Sequence, residues 1–99
     1  MTVSNDLITS KTVTKLEKLL KIELKFQENI RQIHSIKITG DFFIHPEETV
    51  ETLESSLVGV ILEKEALRYK ISSVLKDCQL YGFDVDSLVD AIIQCSVRR

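Results

Sequence analysis

Glycine, cysteine and histidine are scarce in this chain of 99 residues, and each scarcity excludes a class of site. Three glycines are too few for a glycine-rich phosphate loop, and the Gly-x-Ser-x-Gly elbow of many hydrolases does not occur. Two cysteines do not make a disulfide framework; Cys78 and Cys95 both fall in predicted helices and are expected to be buried thiols. No catalytic base can be assembled around either histidine, because a nucleophile and an orienting group are lacking.

Long apolar runs and an excess of basic charge are missing as well. No stretch approaches the ~20 apolar residues that cross a bilayer. The first ten residues lack the charged leader and apolar core of a secretory signal. The net charge of −2 disfavours nucleic acid, which requires clustered Lys and Arg. We therefore expect a cytoplasmic protein that binds neither membranes nor nucleic acid.

The composition is that of one globular domain, with 43% hydrophobic and 28% charged residues. A chain of this length buries roughly two-thirds of its unfolded surface, which suffices for one core but not for a deep, enclosed active site. We expect residues 1–9 to form a flexible amino terminus and residues 10–99 to form a single domain.

The first half of the chain alternates between apolar and polar residues, which is typical of strands. A strand with one buried face is predicted from Leu20 to Phe26, and a second around Ile36 and Ile38. The short connection between them favours antiparallel pairing, with Asn29 as the residue able to adopt a left-handed conformation. The β-branched Thr12–Thr14 segment could add a short edge strand.

Helical spacing in the second half predicts three helices, at about 46–58, 64–76 and 85–96. Pro46 fits the first turn of the first helix, Gly59 is a plausible stop, and Asp84 is the expected N-cap of the third. The apolar faces are Val50, Leu53, Leu57 and Val58; Leu67, Ile71, Val74, Leu75 and Cys78; and Leu88, Ala91, Ile92 and Cys95. The order predicts an α+β fold in which a small antiparallel β-meander of two or three strands is followed by three helices packed on one face.

The junction between the last strand and the first helix reads Gly-Asp-Phe-Phe-Ile-His-Pro-Glu-Glu from Gly40. Gly40 can take a positive φ where other residues are strained. Phe42 and Phe43 point to opposite faces if the strand continues, which leaves one as an exposed interface anchor; if the chain bends at Gly40, both are buried.

Each histidine has a structural interpretation beside a functional one. His34 shares the parity of Ile36 and Ile38 and is expected at the core edge of its strand, packed or partly exposed. His45 precedes Pro46 and is expected at the helix N-cap, where it either shapes the turn or makes a polar contact to a partner.

Asp41, Glu47 and Glu48 form an acidic cluster at this junction. Both glutamates are predicted in the first helical turn, where the helix dipole keeps carboxylates ionised; this makes them poor general acids and disfavours a phosphate site. The preferred interpretation is a surface that meets positive groups on another protein. Asp41, Phe43, His45, Glu47 and Glu48 are the candidate partner interface, since functional contacts concentrate at such bends. If the bend is not the working surface, the exposed face of the sheet around Lys21, Glu23, Lys25 and Lys37 is the next candidate.

Residues 36–59 also resemble a known family. They read Ile-Lys-Ile-Thr-Gly-Asp-Phe-Phe-Ile-His-Pro-Glu-Glu and end in Leu-Val-Gly, similar to the C-terminal accessory domain of lipoate–protein ligases. There, a strand ends in Gly-Asp-Phe-Phe, Pro-Glu-Glu follows, and a helix closes near Leu-x-Gly. The resemblance extends from Thr12 to the carboxyl terminus. It departs at residues 15–18, where the family usually has a Gly-Gly hairpin, and a wider hairpin is expected here.

The resemblance implies a non-catalytic accessory subunit of a two-subunit, archaeal-type ligase, and a separate chain beginning at Met1 fits this form. The catalytic subunit would bind ATP, Mg and lipoate, form lipoyl-AMP, and lipoylate acceptor lipoyl domains. This chain would then hold no catalytic residue, cofactor or metal. One alternative is a generic protein-interaction module. Another is an iron–sulfur scaffold or sulfur acceptor, which has a similar fold; here, however, Asp41 rather than a cysteine follows Gly40.

Overall fold

A computed structural model describes residues 7–15 and 18–97 of the chain. The elements run in the order β1 (Leu7–Lys15), β2 (Leu19–Gln27), β3 (Gln32–Gly40), β4 (Phe43–His45), α1 (Thr49–Leu57), α2 (Lys64–Leu75), β5 (Gln79–Tyr81) and α3 (Val85–Ser96).

The first layer is an antiparallel sheet of three strands in the order β1-β2-β3. Each strand has nine residues, and successive side chains alternate between the two sides of the sheet except at a bulge in β3. The buried set of β2 is at most 1% exposed and consists of Leu20, Ile22, Leu24 and Phe26. The predicted antiparallel pairing of β2 with β3 is confirmed, and β1 supplies the third strand.

The three helices cover the apolar side of this sheet. α1 packs on β3, α3 packs on β1 and β2, and α2 contacts both other helices. Leu53, Ile71 and Leu88, one from each helix, are completely buried. The predicted α+β architecture, a meander with three helices on one face, is confirmed.

A β-bulge in the pairing of β2 with β3 changes the position of His34. Lys25 pairs with Ser35 and the next residue, Phe26, pairs with Ile33, so His34 is the extra residue. The extra residue shifts the alternation, and Ile33 and Ile36 are both buried while His34 is exposed. The prediction that His34 lies at the core edge is therefore wrong.

The amino-terminal strand is longer than the sequence indicated. β1 begins at Leu7, so the last three of residues 1–9 belong to a strand and not to a flexible terminus. Residues 1–6 lie outside the described residues, as do residues 16–17 of the hairpin that was expected to be wide.

In the turn between β2 and β3 the positive φ, 53°, belongs to Arg31 and not to Asn29. This turn places the Arg31 guanidinium 5.5 Å from the centre of the Phe26 ring. The same group donates hydrogen bonds to the backbone oxygen and the Oγ of Ser96, at 3.2 and 3.0 Å. Arg31 thus supplies positive charge at the carboxyl end of α3, where the helix dipole favours it.

The second and third helices follow their predicted bounds within one residue. Gly59, with a φ of +89°, follows the C-cap of α1 as expected. Two details differ. Val58 is 52% exposed and not in the core, because it is the extended C-cap residue of α1. Cys78 lies beyond α2, in the connection to β5, although its side chain still packs against the core.

Asp84 caps α3 as predicted: its Oδ1 accepts a hydrogen bond of 2.8 Å from the backbone N–H of Ser87. This bond, with a smaller contribution from the Ser87 side chain, lowers the pKa of Asp84. A lowered folded-state pKa means that the charged cap stabilises the protein above the unfolded pKa of about 3.9, and this stabilisation is lost as pH falls through the folded value.

Replacing Asp84 by Ala is expected to lower the free energy of unfolding by about 1 kcal/mol at pH 7, because an orphan helix N–H loses its acceptor. The difference in the free energy of unfolding between wild type and the alanine variant should become smaller below about pH 4. Asp84→Asn is the matched control, since it keeps an oxygen acceptor but cannot titrate. Urea denaturation at several pH values measures both effects, and a loss below about 0.3 kcal/mol for the alanine variant at pH 7 would contradict the capping role.

Among the described residues, no helix is long and apolar enough to cross a membrane.

Candidate functional site

The candidate site is the segment of residues 40–49, called the bend from here on, which joins β3 to α1. It begins at Gly40, whose φ is +147°. A Cβ on this residue would lie 2.2 Å from the backbone oxygen of Leu19, and the next N–H, of Asp41, donates a 2.9 Å hydrogen bond to that oxygen. The positive φ and the close approach of the Leu19 backbone both require glycine at this position, as the sequence indicated.

Beyond Gly40 the chain forms an element that sequence analysis missed. Phe43–His45 is the short strand β4, which pairs antiparallel with β5, Gln79–Tyr81. Together they form a separate two-stranded sheet, called the ribbon from here on. Ile44 and Leu80 oppose each other on its inner side. Ile44 is buried and Leu80 packs against the core, which anchors the ribbon to the domain.

The two adjacent phenylalanines point in different directions, which settles the alternatives left open by the sequence. Phe42 is half-buried and packs edge to face against Phe83, with ring centres 5.1 Å apart. Phe43 is 48% exposed. Of the two arrangements, the one with an inward and an outward ring is confirmed.

On the outer side of the ribbon, Phe43, His45 and Tyr81 form an exposed aromatic cluster. The Phe43 ring is stacked on the His45 imidazole, with centres 6.5 Å apart, and lies 5.9 Å from the Tyr81 ring. Tyr81 is 58% exposed. Large aromatic side chains held by a paired backbone are enriched at the energetic centres of protein interfaces, because they bury much area at little entropic cost.

The acidic residues of the bend lie on either side of β4 in the chain, and the two glutamates are placed differently from the prediction. α1 begins at Thr49, so Pro46, Glu47 and Glu48 precede the helix as a turn, and His45 belongs to β4 and is not the N-cap. Glu48 is the N-cap residue, and its side chain makes no capping hydrogen bond. The helix starts late because β4 holds the chain in an extended conformation until His45.

The structure leaves all five predicted interface residues exposed on the bend: Asp41, Phe43, His45, Glu47 and Glu48. Tyr81 belongs with them, although it lies between the second and third predicted helices, where the sequence predicts no strand. No signal near Tyr81 could reveal its place, because its neighbour Phe43 lies 38 residues earlier in the sequence.

The two thiols are placed apart from this surface. Cys95 is buried, its Sγ lies 3.8 Å from the backbone oxygen of Ile22, and burial raises its pKa. Such a thiol stays protonated and is a weak nucleophile. Cys78 is half-buried, with its Sγ 3.5 Å from the hydroxyl of Thr49. Within residues 7–15 and 18–97, no group of three His, Cys, Asp or Glu side chains could hold a metal ion.

Fold and bend together define a small α+β domain that presents an aromatic cluster and three carboxylates to solvent. Comparison with known proteins identifies the family of this domain. A family model described as the C-terminus of bacterial lipoate protein ligase matches residues 20–92, which include the whole bend. The chain therefore belongs to the family of lipoate–protein ligase C-terminal domains, as its resemblance implied.

A solved structure shows the same fold. It is a chain from an archaeal lipoylation system, a bi-partite lipoate protein ligase and its E2 lipoyl domain from Thermoplasma acidophilum. The TM-score is 0.70 and the sequence identity 22%, over 87% of this chain and 93% of that chain. A search of curated proteins gives no match.

Proposed function

We propose that this chain is a non-catalytic accessory subunit of a two-subunit lipoate–protein ligase. Together with a catalytic subunit it would support the ATP-dependent activation of lipoate to lipoyl-AMP, and hence lipoylation of acceptor proteins. The observation that carries the proposal is the family match over residues 20–92. The bi-partite ligase of similar fold supports the two-chain arrangement.

The bend is the surface proposed to meet the catalytic subunit. The aromatic cluster supplies apolar area, and the carboxylates of Asp41, Glu47 and Glu48 supply charge for lysines or arginines on the partner. Such charges speed association and fix the orientation of docking. The ribbon holds the aromatic cluster on hydrogen-bonded backbone, so these side chains lose little conformational entropy when a partner binds.

The physical role proposed for the docked chain is that of a lid. Lipoyl-AMP is a mixed anhydride, which water hydrolyses, so the adenylation site has to exclude water while the anhydride forms. A rigid domain that closes over the site of another chain does this without contributing a reacting group.

Co-purification tests the proposal at its first step. The chain, produced with a candidate catalytic subunit, is expected to form a heterodimer that survives gel filtration. The isolated chain is expected to bind neither ATP nor lipoate in calorimetry. Micromolar binding of ATP to the isolated chain, or failure to associate with any lipoate-activating subunit of the same organism, would overturn the accessory-subunit assignment.

A further inference from the structure

The outward side of the three-stranded sheet carries an array of lysines, called the lysine face from here on. Side chains that alternate toward solvent on β1, β2 and β3 bring together Lys11, Lys15, Lys21, Lys25 and Lys37. All five are exposed. They occupy the side of the sheet opposite to the buried apolar residues and hence opposite to the helices.

One carboxylate stands at the centre of this array. Glu23 pairs with Lys11 on β1 and with Lys37 on β3, and its Oε2 lies 3.9 Å from the Lys11 Nζ. Lys21 and Lys25 flank Glu23 on the same strand, and their cross-strand neighbours are uncharged. Five ammonium groups around one carboxylate leave the face strongly positive.

The rest of the described chain has the opposite sign. Residues 41–97, which form the bend and the helical layer, hold 11 of the 15 acidic residues. The same segment has four Lys and Arg residues. The net charge of −2 therefore conceals two surfaces of opposite charge. The net charge alone does not reveal this separation, which follows from the uneven distribution of charge along the chain and from the alternation that gathers the lysines on one side of the sheet.

We propose that the lysine face docks an acidic surface of the acceptor protein, the one whose lysine receives the lipoyl group. This inference rests on the proposed function, which requires two protein partners, the catalytic subunit and the acceptor. The bend and the lysine face differ in charge and chemistry, so they suit two different partners. The acidic, aromatic bend fits a basic surface, and the lysine face fits an acidic one.

The size of the face fits a partner that leaves after each turnover. Three strands of nine residues cover about 30 Å by 14 Å, on the order of 400 Å², at the usual rise and spacing of strands. This is about half of the ~800 Å² that each partner contributes to a standard stable interface, and contacts of this size are transient.

The chemistry of the face favours a protein over other polyanions. A nucleic-acid backbone would place phosphates on Glu23, and the described residues of the face include no arginine fork and no Phe, Tyr or Trp ring for stacking bases. A protein surface can place a cation opposite Glu23 and carboxylates opposite the lysines. The exposed Val13 adds an apolar contact within the face.

Lys21→Glu with Lys25→Glu is the test variant, because it reverses two charges without placing a carboxylate opposite Glu23. In the reconstituted ligase, the KM for the acceptor domain in transfer from preformed lipoyl-adenylate is expected to rise about tenfold or more at low salt, with kcat unchanged. The difference should shrink at ~300 mM salt, where charges are screened beyond a few ångströms. The milder Lys21→Gln with Lys25→Gln should give a smaller shift in the same direction.

Lys70→Glu with Lys76→Glu, in the helical half, makes the same change in net charge and is the matched control. An equal rise of KM in the control, or an unchanged KM in a folded test variant, overturns the proposal. The adenylation rate of the same preparations reports on the accessory role separately. If this chain does not raise the adenylation rate, calorimetric titration of the chain alone with the acceptor domain still tests docking on the lysine face. Absence of binding at low salt then contradicts it. Tighter binding of a short DNA duplex or an anionic vesicle also overturns it.

Discussion

Charge reversal at the bend, Glu47→Lys with Glu48→Lys, is expected to weaken binding to the catalytic subunit about tenfold or more, because attraction at the docking surface becomes repulsion. The fold should remain intact. Both side chains are exposed, neither is part of the core, and the Glu48 side chain makes no capping bond. Loss of each charge near the helix start costs only ~0.3–1 kcal/mol. Calorimetry of the two chains measures the affinity, and circular dichroism checks the fold.

The same variant separates two steps of the reaction. Adenylation by the mixed complex should slow. Transfer from preformed lipoyl-adenylate should suffer less at saturating acceptor, since the lysine face is proposed to affect the KM for the acceptor and the reacting groups of that step belong to the catalytic chain and the acceptor. Glu28→Lys with Glu63→Lys gives a matched change of charge at the other end of the sheet, where the β2–β3 turn meets the start of α2. If the bend variant binds and supports adenylation as the wild type does, the bend is not the working surface. An equal loss in the control would assign the effect to net charge.

Truncation of the core is expected to have the largest effect on stability. Leu53→Ala in α1 and Ile71→Ala in α2 should each lower the free energy of unfolding by ~2–5 kcal/mol, through lost burial and the cavity left behind. Both side chains are completely buried. The free energy of unfolding of a domain of this size is roughly 5–15 kcal/mol, so either substitution removes a large share of the stability.

Val58→Ala is the control for these substitutions. Val58 was predicted on the same apolar face as Leu53 but is 52% exposed, so its truncation should cost less than ~0.5 kcal/mol. Chemical denaturation followed by far-ultraviolet circular dichroism measures all three variants. Losses below ~0.5 kcal/mol for Leu53→Ala and Ile71→Ala would contradict the packing of the helices on the sheet.

β2, β3 and the three helices could be predicted because each carries its own periodic signal. β2 alternates strictly, and α3 has both a capping residue at Asp84 and an apolar face that recurs at helical spacing. Gly40 was predictable for a similar reason, because a Gly-Asp pair after a strand signals a change of backbone conformation. Local chemistry determines these features.

Features that depend on distant contacts could not be predicted. β4 has three residues and exists because it pairs with β5, which lies beyond two helices in the sequence. That pairing moves the start of α1 from Pro46 to Thr49 and brings Tyr81 to Phe43. The position of His34 depends on a bulge, which shifts the side-chain alternation without any marker in the sequence. The sequence therefore indicates the bend residues of the candidate interface but not β5, the strand that pairs with β4.

The most direct test of the accessory role is the rate of lipoyl-AMP formation by the catalytic subunit, measured with and without this chain. Pyrophosphate release at saturating ATP and lipoate reports this rate without an acceptor protein. We predict a rise of at least about 100-fold on adding an equimolar amount of the chain, because the lid would both position the reactants and exclude water. The Glu47→Lys, Glu48→Lys variant at the same concentration should produce only part of this rise in rate. A catalytic subunit that forms lipoyl-AMP equally fast alone would contradict the account.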